Sequence, residues 1–400
     1  MPAFIPFHVP CIGEEEINEV VETLRSGWLT TGPRTLQFEK EFAEYVRAPH
    51  ALAVNSCTAG LHLALAALGV GAGDEVITTP LTFCATVNTI LHVGATPVLA
   101  DIGPDGNLDP ASIEACITER TRAIMPVHLA GLPCNMDAIW DIAQRHGLLV
   151  VEDAAHAVGS LYNGVPIGGG NPAAGRYSDA VAFSFYATKN LTTGEGGMVT
   201  THNDKLANDM RMLCLHGIST DAWNRYSEKG KWFYEVLACG YKYNMSDIQS
   251  AIGLHQLRKQ ERFLAKRAEY SRLFTEGFQD MAELEPPPDS SRSRHCWHLY
   301  SLRLNLENLQ IDRADFIRHL NAEGIGSSVH FIPIPLHPFY AAQSGIANSK
   351  CPNAMDMYPR LISLPLYPAM TEEQVQRVID TVKGIASRYS KVSQTSFTTI

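Results

Sequence analysis

Apolar positions recur along this chain at two periods. Ile17, Val20, Val21 and Leu24 keep helical spacing behind Gly13 and a run of acidic residues suited to a first turn, which predicts a helix over 13–24. Ser26-Gly27 stops it, and Trp28 to Pro33 follow as a loop. A second amphipathic helix is predicted from about Leu36 to Val46. Short apolar runs then alternate with helical segments. Strands are predicted at 51–54, 75–78, 96–100, 123–127 and 148–153, and helices at 58–68, 84–92, 111–117 and 136–146. That alternation is the mark of βαβ units on a mostly parallel sheet covered on both faces. Beyond residue 180 the spacing changes: Ala180 to Phe185 and Gly197 to Thr201 read as strands a loop apart, with one antiparallel member expected. A long charged helix is predicted from about Ser246 to Asp280, as a spine between domains. After Pro286-Pro287-Pro288, a helical period over 313–322 and strands near 299–304 and 328–332 predict a smaller α+β domain. The Ser/Thr-rich last dozen residues are expected to fray.

Composition adds exclusions. The 400 residues, 45% hydrophobic and 18% charged, are enough for two or three domains. A net charge of −10 leaves no broad basic field for a nucleic-acid backbone, so no nucleic-acid partner is expected. A phosphorylated ligand is still compatible, because a few backbone N–H groups at a helix N-terminus suffice to hold it. The nine cysteines stand at least 18 residues apart, which rules out C-x-x-C spacing and predicts reduced thiols. The start MPAFIPFHVP lacks the pattern of a secretory signal, and no 18-residue apolar run occurs, so a cytoplasmic protein without a membrane span is expected.

Three segments carry candidate chemistry. In Val54 to Leu68 a strand runs through the small residues Ser56, Cys57, Thr58, Ala59 and Gly60 into a helix. That arrangement makes either a phosphate cup or a plain helix cap. Neither G-x-x-x-x-G-K-[ST] nor G-x-G-x-x-G occurs, which disfavours nucleotide binding of those two kinds. In Leu148 to His156 a buried parallel strand ends in Asp153, where ligands of open α/β sheets are met; a carboxylate there suits a pyridinium N–H or a metal. In Asp179 to Val199, Lys189 follows an apolar strand and precedes a glycine-rich turn. Such a lysine is either a solvated loop residue or, in an apolar pocket, a free amine able to form a Schiff base. A phosphate cup, a strand-end aspartate and a reactive lysine, in that order on one sheet, are the three supports that pyridoxal phosphate requires. His295-x-x-His298 matches a metal pair in spacing only, and no metal is expected.

The ordered motifs S-G-W-L-T-T-G-P (26–33), N-S-C-T-A-G (55–60), T-F-C-A-T (82–86), V-E-D-A-A-H-A-V-G (151–159), S-F-Y-A-T-K-N (184–190), G-E-G-G-M (194–198), G-Y-K-Y-N-M-S-D-I-Q (240–249) and L-P-L-Y-P-A-M-T (364–371) resemble the DegT/StrS family. These are pyridoxal-phosphate-dependent sugar-nucleotide aminotransferases of fold type I. The resemblance spans about residues 5–385 and is greatest to members that aminate C4 of a UDP-linked 4-keto-pentose. It implies an α/β fold: a large cofactor domain over 13–255 with a mostly parallel seven-stranded sheet sandwiched by helices, a smaller α+β domain over 256–388, and a flexible tail over 389–400. Lys189 falls at the Schiff-base position, Asp153 at the partner of the pyridine nitrogen and His156 at the contact to the phenolic oxygen. Thr58, Ala59 and Ser184 fall in the phosphate cup, with Phe83 stacked on one face of the ring and Ala155 on the other. Asn244 matches a residue that reaches the cofactor phosphate of a neighbouring subunit, which implies a homodimer with shared active sites.

The resemblance further implies L-glutamate as amino donor and a nucleotide-linked keto sugar as acceptor, in two half-reactions with Lys189 shuttling a proton. Trp28, Thr30, Thr31 and His330 are candidates for contacts to the sugar nucleotide. A C3-specific dTDP-keto-sugar aminotransferase of secondary metabolism and a non-catalytic sensor of the same fold are the competing readings. The presence of Lys189 disfavours the sensor.

Overall fold

The computed structural model describes residues 3–219, 234–289, 292–347 and 349–391. Seven strands form the central sheet: β1 (His50–Val54), β2 (Glu75–Thr78), β3 (Thr96–Leu99), β4 (Thr121–Met125), β5 (Leu149–Asp153), β6 (Ala180–Ser184) and β7 (Gly197–Thr201). Their order across the sheet is β1-β7-β6-β5-β4-β2-β3. Only β7 is antiparallel to its neighbours, β1 and β6; the other pairings are parallel. The expected mostly parallel sheet with one reversed member is what the chain builds.

Helices α2 (Pro33–Val46), α3 (Cys57–Ala67), α4 (Cys84–His92), α5 (Pro110–Cys116), α6 (Met136–His146), α7 (Asp204–Cys214) and α8 (Asp247–Arg258) cover the sheet, while α1 (Glu14–Ser26) packs on α8, and α9 (Gln260–Phe278) packs in the C-terminal core. The strands are apolar throughout because both faces are buried, and successive residues feed different cores. Ile77, Val181, Phe183 and Met198 join Phe38, Phe42 and Trp140 on one side. Their neighbours Val76, Ala182 and Val199 join Leu61, Leu65 and Met210 on the other.

Two sequence expectations change here. The single spine over 246–280 is two helices, α8 and α9, meeting at Lys259 with φ −93° and ψ −4°. The Lys259 ammonium holds Glu15 and Glu16 of α1, both at 2.7 Å, so the break tethers the spine to the first helix. Nor is 328–332 a strand. It makes one bridge, Ser328 to Ser363, before Pro333, which has no N–H to give a ladder, and its His330 and Phe331 side chains line a cavity instead.

The C-terminal part has its own core. A three-stranded antiparallel sheet, Leu284–Glu285 with Tyr300–Leu304 and Leu361–Leu364, packs beneath α9 and the helices Arg313–Ala322 and Glu372–Arg388. Ile5, from the other end of the chain, is buried in this core, its N–H bonded to Gly324 O and its carbonyl to Gly326 N, both at 2.8 Å. A further apolar cluster joins Leu81, Leu99 and Leu129 beside the main sheet to Leu299, Ile334, Tyr340 and Met357. Of the tail expected to fray, Tyr389 and Lys391 are hydrogen-bonded to Gln310 and Asn308, and 392–400 lie outside the described residues. Among the described residues, no helix is long and apolar enough to cross a membrane.

Candidate active site

The carboxyl ends of β1, β4, β5 and β6 open on one edge of the sheet, and a cavity of about 550 Å³ lies there, closed from the other side by His298, His330, Phe331 and Leu364. Because β7 runs in reverse, its amino end reaches the same edge, so Glu195 and Gly196 also line the cavity. At the end of β1, Ser56 caps α3 and its Oγ accepts the Ala59 N–H at 3.1 Å. Ser56, Cys57, Thr58 and Ser184 are in the wall; Ala59 is buried behind them with its N–H already used by the cap. Ser56→Ala is expected to cost about 1 kcal/mol of stability, measured by denaturant unfolding.

Lys189 sits in the loop between β6 and β7, its N–H bonded to Tyr186 O at 2.9 Å. Phe185 N bonds to Gly196 O and Thr193 N to Phe185 O, both at 2.9 Å, so this loop is pinned at both ends. Burial pushes the Lys189 amine down to about pKa 8, with Cys57 and Asp153 acting in the opposite direction. The reading as a solvated loop lysine does not hold: the amine is enclosed and prepared to lose its proton.

Asp153 ends β5, 5% exposed. Oδ2 accepts the Thr86 hydroxyl at 2.8 Å and Oδ1 accepts the Ala155 N–H at 3.1 Å. Burial raises its pKa, and those two hydrogen bonds work against the rise. Three residues on, His156 Nδ1 accepts the Ala130 N–H at 3.2 Å, which places the ring proton on Nε2. Burial holds its pKa well below the ordinary value, so His156 is a neutral donor. Its ring lies 4.4 Å from that of His298 and 5.7 Å from that of Phe331.

Phe83 and Ala155 are both in the wall, Phe83 with 58% of its surface exposed. His330 lines the opposite side, hydrogen-bonded through Nδ1 to Ser363 Oγ at 2.8 Å and stacked on Phe7 at 5.5 Å. Burial, aided by Lys189, lowers its pKa to about 4. Trp28, Thr30, Thr31 and Asn244 do not line this chain's cavity. They form a cluster of their own: Trp28 Nε1 donates to Thr31 O at 3.0 Å, Asn244 Nδ2 to Thr31 Oγ1 at 2.8 Å, and Asp247 N to Thr30 O at 3.2 Å.

Sequence reading missed several wall residues. His8 had no motif around it, yet its Nε2 is buried at the cavity without a hydrogen-bond partner. Thr82 and Thr86 lie on either side of Phe83 within T-F-C-A-T, Thr82 in the wall and Thr86 buried behind it. His298 stood out only as half of a metal-like pair. It contacts Asn190 Oδ1 through Nδ1 at 3.2 Å, while His295 stacks on Trp297 at 3.9 Å. Among the described residues, no group of three or more His, Cys, Asp or Glu side chains is arranged to hold a metal ion.

A buried neutralisable amine, a buried carboxylate whose donors are neutral, a neutral histidine and a helix N-terminus around one cavity fit an aldehyde-bearing, phosphorylated pyridine ring. Fold and cavity together define an aminotransferase of fold type I dependent on pyridoxal phosphate. The chain belongs to the DegT/DnrJ/EryC1/StrS aminotransferase family, whose model matches residues 10–383. Bacillus subtilis SpsC, a spore coat polysaccharide biosynthesis protein, is 52% identical over 384 residues, covering 96% of this chain and 97% of its own. The PLP form of Spr1654 from Streptococcus pneumoniae superposes with a TM-score of 0.88 at 35% identity, over 96% of this chain and 99% of that one. Helicobacter pylori PseC, an aminotransferase involved in the biosynthesis of pseudoaminic acid, superposes with a TM-score of 0.88 at 31% identity, over 97% and 100%.

Proposed function

We propose that this enzyme moves an amino group from L-glutamate to C4 of a UDP-linked 4-keto sugar, in the cytoplasm, for a surface glycan such as lipopolysaccharide. The observation that carries the aminotransfer is the enclosed Lys189 amine, lowered to about pKa 8 in the same cavity as Asp153 and His156. A sugar acceptor and a glycan destination draw support from what SpsC and PseC are described as doing.

When bound, pyridoxal phosphate supplies an aldehyde that condenses with amines and a protonated ring that takes up the electron pair released at the substrate carbon. Lys189 would hold that aldehyde through its amine. When free, the same amine would serve as the base facing the proton on the donor's α-carbon and, once protonated, as the acid that gives the proton up, a task suited to a pKa near the working pH. Asp153 holds the ring-nitrogen proton, and His156 donates from Nε2 to the phenolic oxygen. Thr58, Ala59 and Ser184 hold the phosphate at the start of α3; Ala59 does so by shaping the turn, since its N–H serves the Ser56 cap. Phe83 and Ala155 enclose the ring. Asn244 acts across a homodimer on the neighbouring subunit's phosphate, and its place outside its own chain's cavity supports that role. Trp28, Thr30 and Thr31, beside Asn244, and His330, in the cavity wall, select the sugar nucleotide.

The test is a panel of 3-keto and 4-keto sugars linked to UDP, dTDP or GDP, incubated with enzyme and L-glutamate, with amino sugar and 2-oxoglutarate measured by mass spectrometry. A 4-amino UDP sugar formed in step with 2-oxoglutarate is the expected result. Amination of a dTDP-linked 3-keto sugar alone overturns the acceptor assignment, and absence of 2-oxoglutarate with every acceptor overturns the glutamate-dependent transfer.

A further inference from the structure

Asp153 presents a physical difficulty that its position alone does not resolve. A carboxylate enclosed at the end of β5 gives up its proton reluctantly, yet holding a protonated ring nitrogen requires it to be an anion. We infer that Thr86, backed by Thr82, is a positioning residue that keeps Asp153 ionised and aimed at the cofactor ring. The inference rests on the proposed role of Asp153 and deepens it.

The direction of the hydrogen bonds follows from the inventory of protons. An ionised carboxylate only accepts, so in the 2.8 Å contact Thr86 donates to Asp153 Oδ2. With that proton committed, Thr86 Oγ1 is the acceptor in its 2.7 Å contact with Thr82 Oγ1, and Thr82 is the donor. The chain therefore runs one way, from Thr82 through Thr86 to Asp153, and each bond polarises the next. Both threonines are buried, at 2% and 0% exposure, so water does not substitute for either hydroxyl. Thr82 is itself in the cavity wall.

Other groups facing Asp153 do less. Ala155 N–H fixes Oδ1. The Cys57 thiol of α3 reaches Oδ1 only at 4.0 Å and stays protonated, its pKa driven up by burial. Lys189, in the loop before β7, and His128, after β4, act through space. Among the influences that pull the Asp153 pKa back down against burial, the Thr86 hydroxyl is foremost. Replacing it by the methyl of valine keeps the shape and leaves Oδ2 enclosed without a donor.

The experiment compares Thr86→Val, Thr86→Ser, Thr82→Val and Asp153→Asn with the wild type as holoenzymes. It reads the pH dependence of the cofactor's absorption band, the dissociation constant for pyridoxal phosphate, the rate of the glutamate half-reaction and the melting temperature. T86V is expected to slow the half-reaction by roughly 10- to 100-fold and to move the spectral pH midpoint, because a hydrogen bond to a charged group is lost. T86S is expected to restore both to within about threefold, and T82V to fall between, since the charged partner keeps its direct donor. If T86V keeps the wild-type spectral titration and rate while D153N loses them, the role of Thr86 is overturned and that of Asp153 stands. If D153N also behaves as wild type, the role of Asp153 itself is overturned. A T86V that only melts earlier, or a T86S that fails to restore the titration, reduces Thr86 to a packing residue and overturns the inference.

Discussion

Replacing Lys189 by methionine is expected to abolish turnover, by about 10³-fold or more, and at the same time to stabilise the cofactor-free protein near pH 7. The two effects have one cause. In the unfolded chain the amine has its ordinary pKa of 10.5, whereas in the cavity it is lowered to about 8. Below pH 8 the lysine is protonated in both states, and enclosing its charge costs about 3 kcal/mol. Between about 8 and 10.5 the unfolded chain binds the extra proton, so the stability of the wild type rises with pH across that window. Methionine carries no such cost. Its advantage is therefore greatest below pH 8 and shrinks towards pH 10.5. Denaturant unfolding of both cofactor-free proteins at pH 7 and pH 10 checks this, and an advantage that does not shrink with pH contradicts the assignment of the cost to the amine.

A second large effect is expected at Gly197, the first residue of β7. A Cβ there would stand 2.7 Å from Cys57 N, 2.7 Å from Ser56 C and 2.8 Å from Phe183 O, all backbone atoms that have nowhere to move. Gly197→Ala is expected to cost about 3 kcal/mol of stability by prying β7 away from β6 and the start of α3. Because Ser56 and Cys57 are in the cavity wall, turnover is expected to fall by roughly 10²-fold in the protein that still folds. Gly60→Ala, one turn into α3, is the control. Its Cβ would meet Val199 Cγ2 at 2.7 Å, the end of a side chain, and the gain in helix propensity offsets the adjustment. Its stability is expected to stay within about 1 kcal/mol of wild type. Unfolding curves and cofactor-loaded activity of the two variants, measured side by side, distinguish local crowding from a general intolerance of alanine.

Much of the main sheet was legible in the chain because it is built from local units. The strand–helix alternation from β1 to β5 repeats within about 25 residues, and α4 falls at 84–92, where periodicity placed it. The place of Asp153 and Lys189 in the cavity wall was legible for a similar reason: a ligand at a parallel sheet meets strand ends, and one ends an apolar strand while the other lies a few residues beyond one. What escaped depends on partners far away in sequence. No glycine or proline marks the break at Lys259, and the carboxylates its side chain holds, Glu15 and Glu16, lie more than 240 residues earlier. Thr86 reads as an ordinary β-branched residue in a helix until the fold brings Asp153, 67 residues on, against its hydroxyl. His8 has no local pattern at all and reaches the cavity because Ile5 anchors the segment before it in the C-terminal core.

That anchor has a consequence in time. Ile5 is made some 320 residues before the backbone it bonds to, Gly324 and Gly326. At ordinary rates of synthesis the interval is roughly 15 to 60 s. Through all of it the segment around Ile5 lacks the backbone it docks on, while every strand of the large sheet has already been made. Phe7 and His8 therefore enter the cavity wall as a late act of assembly, after the last core has begun to close, and a nascent chain arrested before residue 324 would carry Lys189 in its loop but an unfinished cavity around it.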